Sequence, residues 1–176
     1  MPLLRQGSEL PKKHFFKASV AMREHAIMTL LHPDLDIPFQ PNPGWFLGAF
    51  NCYDREETLG ETLNRYDPLD PAQLQALYDA YVFDEFSEQS GFTSAHRVAM
   101  AKNLTAALIE TNHDFAAYLA IDESEEEWCF PSEWAFPKPR YPFEQAYLAL
   151  LRHWGMELTA MGIALPSPSL LGIHES

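Results

Sequence analysis

The stretch Thr93 to Asp122, part of the longest run free of glycine and proline, constrains the fold more than any other part of the chain. It opens on Thr93-Ser94, residues able to accept a hydrogen bond from an orphan backbone N–H at a helix start. It continues through Ala, Leu, Met and Lys, which form helices readily. At 100° per residue Ala101, Leu104, Leu108, Phe115 and Leu119 gather on one side, and His96, Asn103, Glu110, His113 and Asp114 on the other. An unbroken helix of this length would be about 45 Å long. A break near Asn112-His113 is the alternative. Other helices are expected to pack on its apolar face.

Three further segments carry a helical period. Lys12 to Leu31 places Phe16, Val20, Ile27, Leu30 and Leu31 together, with Arg23 intruding on that stripe, and His32-Pro33 ends it. Pro71 to about Glu88 follows a predicted cap at Asp70, with proline at the first helical position where its missing N–H costs nothing. That segment aligns Leu74, Leu77, Tyr78, Tyr81 and Val82, with Glu85 on the same side and Phe83 and Phe86 elsewhere. Pro142 to Gly162 aligns Phe143, Tyr147, Leu150, Leu151, Trp154, Leu158 and Met161.

Between these segments the chain is dense in proline and aromatic residues. Pro33 to Asp54 contains four prolines and the run Trp45-Phe46-Leu47-Gly48-Ala49-Phe50. It reads as an extended loop, with a small hairpin at Trp45–Tyr53 as the alternative, and the run is expected to be buried. Arg55 to Tyr66 reads as a short helix, and Trp128 to Pro142 as an irregular surface wrap. Period-2 alternation is weak throughout. The expectation is an all-α fold: one domain over 1–176, a bundle of about four main helices with long Pro- and aromatic-rich connections, and tails at 1–11 and 163–176.

Composition narrows the functions. The 176 residues carry a formal net charge of −13, which disfavours nucleic acid and anionic membranes and favours a basic protein partner. The two cysteines, Cys52 and Cys129, have no metal-binding or disulfide-framework spacing and read as reduced thiols. The first residues lack an apolar signal core, and no stretch has eighteen consecutive apolar residues, so a cytoplasmic location is expected. Phosphate-binding glycine loops, the zinc motif H-E-x-x-H and the G-x-S-x-G elbow are absent from the sequence, and no cofactor is expected.

The acidic run Asp122, Glu123, Glu125, Glu126 and Glu127, followed by Trp128, Trp134 and Phe136, is the predicted contact surface. Carboxylates would steer a basic partner and aromatic rings would anchor it, as in an inhibitor, an immunity-type protein or a mimic of DNA. The alternative is a metal-dependent helical enzyme using Glu85, His153 and Glu157, with His153 and Glu157 neighbours one helical turn apart. Glu110 and His113 form an E-x-x-H pair, which reads as a solvated face because both fall on the polar side. Arg23 and Glu85 are expected to pair with each other or with other internal groups, since a buried charge is costly alone.

Overall fold

The computed structural model describes residues 29–120 and 128–174. The predicted first helix, apart from its last residues, lies outside this range with Arg23, as does the acidic run from Asp122 to Glu127. The described residues form an all-α structure with no strand; an isolated bridge joins Leu31 to Pro38.

Three longer helices frame it. The first, α1 (71–85), starts where Asp70 accepts from the N–H groups of Ala72 and Gln73 at 2.9 and 3.4 Å, with Pro71 at the first position. Its regular turns over Pro71–Leu77 give way to a π-helical stretch at Tyr78–Val82, where the N–H of Phe83 reaches back to the carbonyl of Tyr78. A π turn holds about one residue more than an α turn. Everything downstream is therefore advanced by about one position. Phe86 takes the inward place that a uniform helix would give Glu85, and Phe83 turns in beside it. Glu85 moves to the edge, which corrects its expected place on the buried stripe.

The second helix, α2 (Ser94–Ile109), is capped by Thr93. His96 occupies the position normally held by Glu or Gln in a capping box, its Nδ1 accepting from the Thr93 N–H at 3.1 Å. Its Nε2 then donates to the carbonyl of Leu31 at 2.7 Å, and Phe39 and Phe92 meet the ring edge-on. His96 is thus inside, not on the solvated side. The helix stops at Ile109, short of Asp122, where the backbone turns extended at Glu110, and Asp114 then starts a separate 3₁₀ turn (Phe115–Tyr118) by accepting from Ala116 and Ala117.

The third helix, α3 (Tyr141–Ala160), packs along α2 and α1. Its apolar stripe is buried at Phe143, Tyr147, Leu150, Trp154 and Leu158, whereas Met161 is exposed. Tyr78, fully buried, donates its hydroxyl to the Pro142 carbonyl at 2.8 Å and so joins α1 to the start of α3.

The proline-dense stretch is irregular over 33–42 and 51–54, as expected of a loop, but its middle is helical. Asn42 accepts from Gly44 at 2.8 Å and begins a 3₁₀ helix at Pro43–Phe50, in place of the loop or hairpin. Its Phe46, Leu47 and Phe50 enter the core as expected. Two short turns, Glu56–Gly60 and Glu61–Leu63, form the short helix expected there.

The end of the chain is fastened, which corrects its reading as a tail. Leu171 and Ile173 are buried, and Tyr147 donates to the Pro166 carbonyl at 2.7 Å. Arg140 clamps this strap: it donates to Glu144 at 2.8 Å, to the Leu108 carbonyl at the end of α2 at 2.9 Å, and to the Leu171 carbonyl at 2.8 Å. Its guanidinium also lies 5.7 Å from the centre of the Phe115 ring. Arg140→Ala is expected to lower stability by about 2 kcal/mol, since bonds to a charged donor contribute more than neutral ones. Urea unfolding followed by tryptophan fluorescence checks it, and a loss below about 0.5 kcal/mol would show that water replaces the clamp.

Candidate functional site

A cleft of about 410 Å³ opens between the 3₁₀ segment at 42–48, the end of α1, the 115–118 turn and Trp128. Trp45, Phe86, Tyr118 and Trp128 supply aromatic walls, and among the described residues Glu85 is the one carboxylate lining it. Each wall is held from behind. Phe39 meets Trp45 edge-on at 5.0 Å, with Phe92 at 6.2 Å. Trp128 stands perpendicular to Phe130 at 5.3 Å. The chain just after Trp128 is pinned beside the 3₁₀ helix, because the Cys129 N–H donates to Asn51 and its carbonyl accepts from Cys52 at 2.8 Å.

Tyr118 is oriented by a relay that sequence reasoning missed. Glu110 Oε2 lies 3.0 Å from His113 Nδ1, and His113 Nε2 lies 3.2 Å from the Tyr118 hydroxyl. In the tautomer whose Nδ1–H donates to the carboxylate, Nε2 accepts from the phenol. The imidazole also stacks on the Tyr118 ring at 5.8 Å. The E-x-x-H pair is therefore a positioning device for a tyrosine five residues on, rather than a plain solvated face. The available signal was the spacing Glu110, His113, Tyr118 across a helix end, which carries no meaning until the turn is known.

The floor is bare. A Cβ on Gly44 would lie 2.9 Å from Asn42 Oδ1 and 3.2 Å from Tyr118 Cδ1, so only glycine admits Tyr118 this close. Over Gly48 a Cβ would meet nothing within 4 Å.

Burial pushes the Glu85 carboxyl above the ordinary carboxylate range, against the lowering pull of Arg55. Although the residue is exposed at the cleft edge, its carboxylate has no hydrogen bond or ion pair among the described residues. The Tyr118 phenol is raised by burial and by the charges of Asp114 and Glu110, so it stays neutral. Cys52 is pushed up to about 11 by burial, with Cys129 and Glu56 adding to the effect against Arg55. A thiol so protonated is a poor nucleophile at neutral pH.

The other predicted site residues are dispersed. His153 Nε2 lies 2.8 Å from Asp79 Oδ1, and its ring stacks on Phe83 at 4.5 Å. Burial pushes Asp79 up, but the hydrogen bonds and charges of His153 and Arg152 outweigh it and hold the carboxyl low. Arg152 also donates to Gln75. Glu157 accepts from Ser94 at 2.5 Å and from Arg97 at 2.8 Å. Glu85, His153 and Glu157 therefore have separate surroundings, and no group of three His, Cys, Asp or Glu side chains among the described residues is placed to hold a metal.

Trp134 is an interior residue. Its Nε1–H donates to the Leu63 carbonyl at 3.2 Å and its ring meets Phe50 at 5.2 Å, which removes it from the predicted contact surface. Phe136 is half-buried and perpendicular to Trp134 at 6.0 Å. Trp128 is half-buried and borders the cleft.

No family model, curated protein or solved structure matches this chain. Among the described residues no helix is long and apolar enough to cross a membrane.

Proposed function

We propose that this chain is an acidic, cytoplasmic protein-binding module that captures a basic protein, in an inhibitor- or immunity-type role. One observation carries the reading. The run Asp122, Glu123, Glu125, Glu126, Glu127 is spliced into the chain between Ala120 and Trp128, and both of those residues line the aromatic cleft. Five carboxylates are thus tethered at both ends to a concave surface walled by tryptophan and tyrosine. Charge of one sign speeds encounter with a partner of the other sign, and aromatic side chains are the commonest anchors of protein interfaces. The same charge repels nucleic acid and anionic lipid. The contact surface so proposed keeps Trp128 and the acidic run, and Phe136 at its margin. It gives up Trp134.

A metal-dependent reading through Glu85, His153 and Glu157 is not supported by this arrangement. Glu157 is engaged by Ser94 and Arg97, and His153 by Asp79.

The test is capture from native extract at about 0.15 M salt, where exposed charges more than a Debye length apart are largely screened. The bait is either the natural chain or one carrying Asp122→Asn, Glu123→Gln, Glu125→Gln, Glu126→Gln and Glu127→Gln. A single basic protein retained at near unit stoichiometry by the natural chain alone is expected. Equal capture by both baits, or capture of no basic protein, would sink the proposal.

A further inference from the structure

The cleft itself identifies which part of a basic partner it takes. We infer that the space walled by Trp45, Tyr118 and Trp128 is the receptor for one lysine side chain of the partner, with its ammonium against Glu85 and its stem over Gly48. The inference rests on the proposed function and makes it specific to a side chain.

Three observations converge on it. Aromatic faces attract cations through their quadrupole, and tryptophan does so most strongly. Two indoles and a phenol border this one space, and among the described residues no basic side chain lines it. The carboxylate at its edge is uncommitted among the described residues: the nearest cation acting on it, Arg55, donates instead to the Asn51 carbonyl at 2.6 Å. The space above Gly48 is open, so an apolar stem can lie there among the rings while its charged head meets the carboxylate at the edge. Tyr118 and Trp45 are already fixed by His113 and Phe39, so little ordering remains to oppose binding. A lysine suits this better than an arginine, whose planar fork is matched by several acceptors in one plane. Among the described residues lining the cleft, Asn42 Oδ1 already accepts from Gly44 and the Tyr118 hydroxyl is engaged with His113.

The probe is the capped peptide acetyl-Gly-Lys-Gly-amide, titrated with the full chain and followed by proton NMR. Ring currents from the indoles should move the lysine ε-methylene protons upfield in a saturable way, which loose attraction to an acidic surface would not do. The norleucine and arginine counterparts are the comparisons, and both are expected to show less than a tenth of the effect. Gly48→Leu, which fills open space rather than clashing, should abolish the shift. Glu85→Gln, a change at an exposed position, should weaken binding about tenfold. Thermal midpoints within about 2 °C of the natural chain confirm folding, because surface changes usually alter stability little. Should Gly48→Leu fail to fold, Glu85→Gln decides alone. No upfield shift, a shift unchanged by the variants that fold, or an equal response to arginine would overturn the inference. If the partner is still captured equally by natural and Gly48→Leu chains, the cleft is wrong and the acidic-run reading stands. If capture survives neutralisation of the run while the peptide shift persists, that reading fails separately.

Discussion

Phe46→Ala is expected to destabilise the protein by about 4 kcal/mol, the scale at which deleting a large core ring can remove a substantial part of a domain's total stability. The ring is 1 % exposed and has Phe83, Phe86 and Trp154 centred 6.0 to 6.2 Å away. These neighbours come from α1, the residue that follows it, and α3, so collapse around the hole would have to move both helices. The surrounding aromatic residues are rigid and cannot refill the space by rotamer changes alone. For a chain of this size the thermal midpoint should fall by about 12 °C. Phe46→Leu, which keeps much of the volume, should cost about half as much. Calorimetry or urea unfolding gives the comparison. A loss under about 1.5 kcal/mol for the alanine variant would mean that the 3₁₀ helix is peripheral to the fold.

The second large effect is expected at Arg97. Its side chain is 11 % exposed and donates to Glu157 at 2.8 Å, with weaker bonds to the Phe86 and Phe92 carbonyls at 3.4 and 3.3 Å. It therefore holds α3 to α2 and to the turn that leaves α1. Arg97→Met breaks the ion pair, leaving Glu157 to Ser94 and water, and takes the donor from the Phe86 and Phe92 carbonyls, so it should cost about 3 kcal/mol. Arg97→Met with Glu157→Leu should recover part of that loss, because no charge is then left unpaired. The Glu157 carboxyl is lowered first by the Ser94 hydroxyl, then by Arg97, with burial opposing both. A carboxyl lower in the folded than in the unfolded chain contributes stability above its unfolded value, and the contribution is lost as pH falls through the folded one. Stability of the natural chain should accordingly drop as pH is taken below about 4.5, the usual glutamate range. That drop should be shallower in Arg97→Met. Urea midpoints between neutral pH and about pH 3 test both parts; equal slopes would show that the pair adds nothing to folding.

Much of the fold was readable from residues whose signals are local. Asp70 followed by Pro71 marks a helix start by hydrogen bonding and ring geometry alone, and that helix begins there. The stripe from Phe143 to Leu158 records burial directly in its spacing. Burial of the Phe46 to Phe50 stretch followed from the high cost of exposing so many rings. Properties set by distant partners were not readable. Trp134 is inside because Leu63 and Phe50 receive it, and nothing near it in sequence says so. His96 is inside because Leu31, 65 positions away, accepts from it. The candidate site was half legible: Trp128 stood out, whereas Trp45, Tyr118 and the relay through His113 needed three separate segments to be brought together.

The wide turn at Tyr78–Val82 shows why Glu85 was misplaced, and it has a broader meaning for the architecture. Reading a helix as a wheel assumes one gearing along its whole length. Here the gearing slips once, so the earlier half meshes with α3, while past the slip Phe83 still packs on Trp154 of α3 and Phe86, just beyond the helix, turns to Phe46, Trp45 and Phe92. A single rod thus serves two neighbours whose faces are out of phase, and the carboxylate displaced by that slip is the one left standing at the mouth of the cleft.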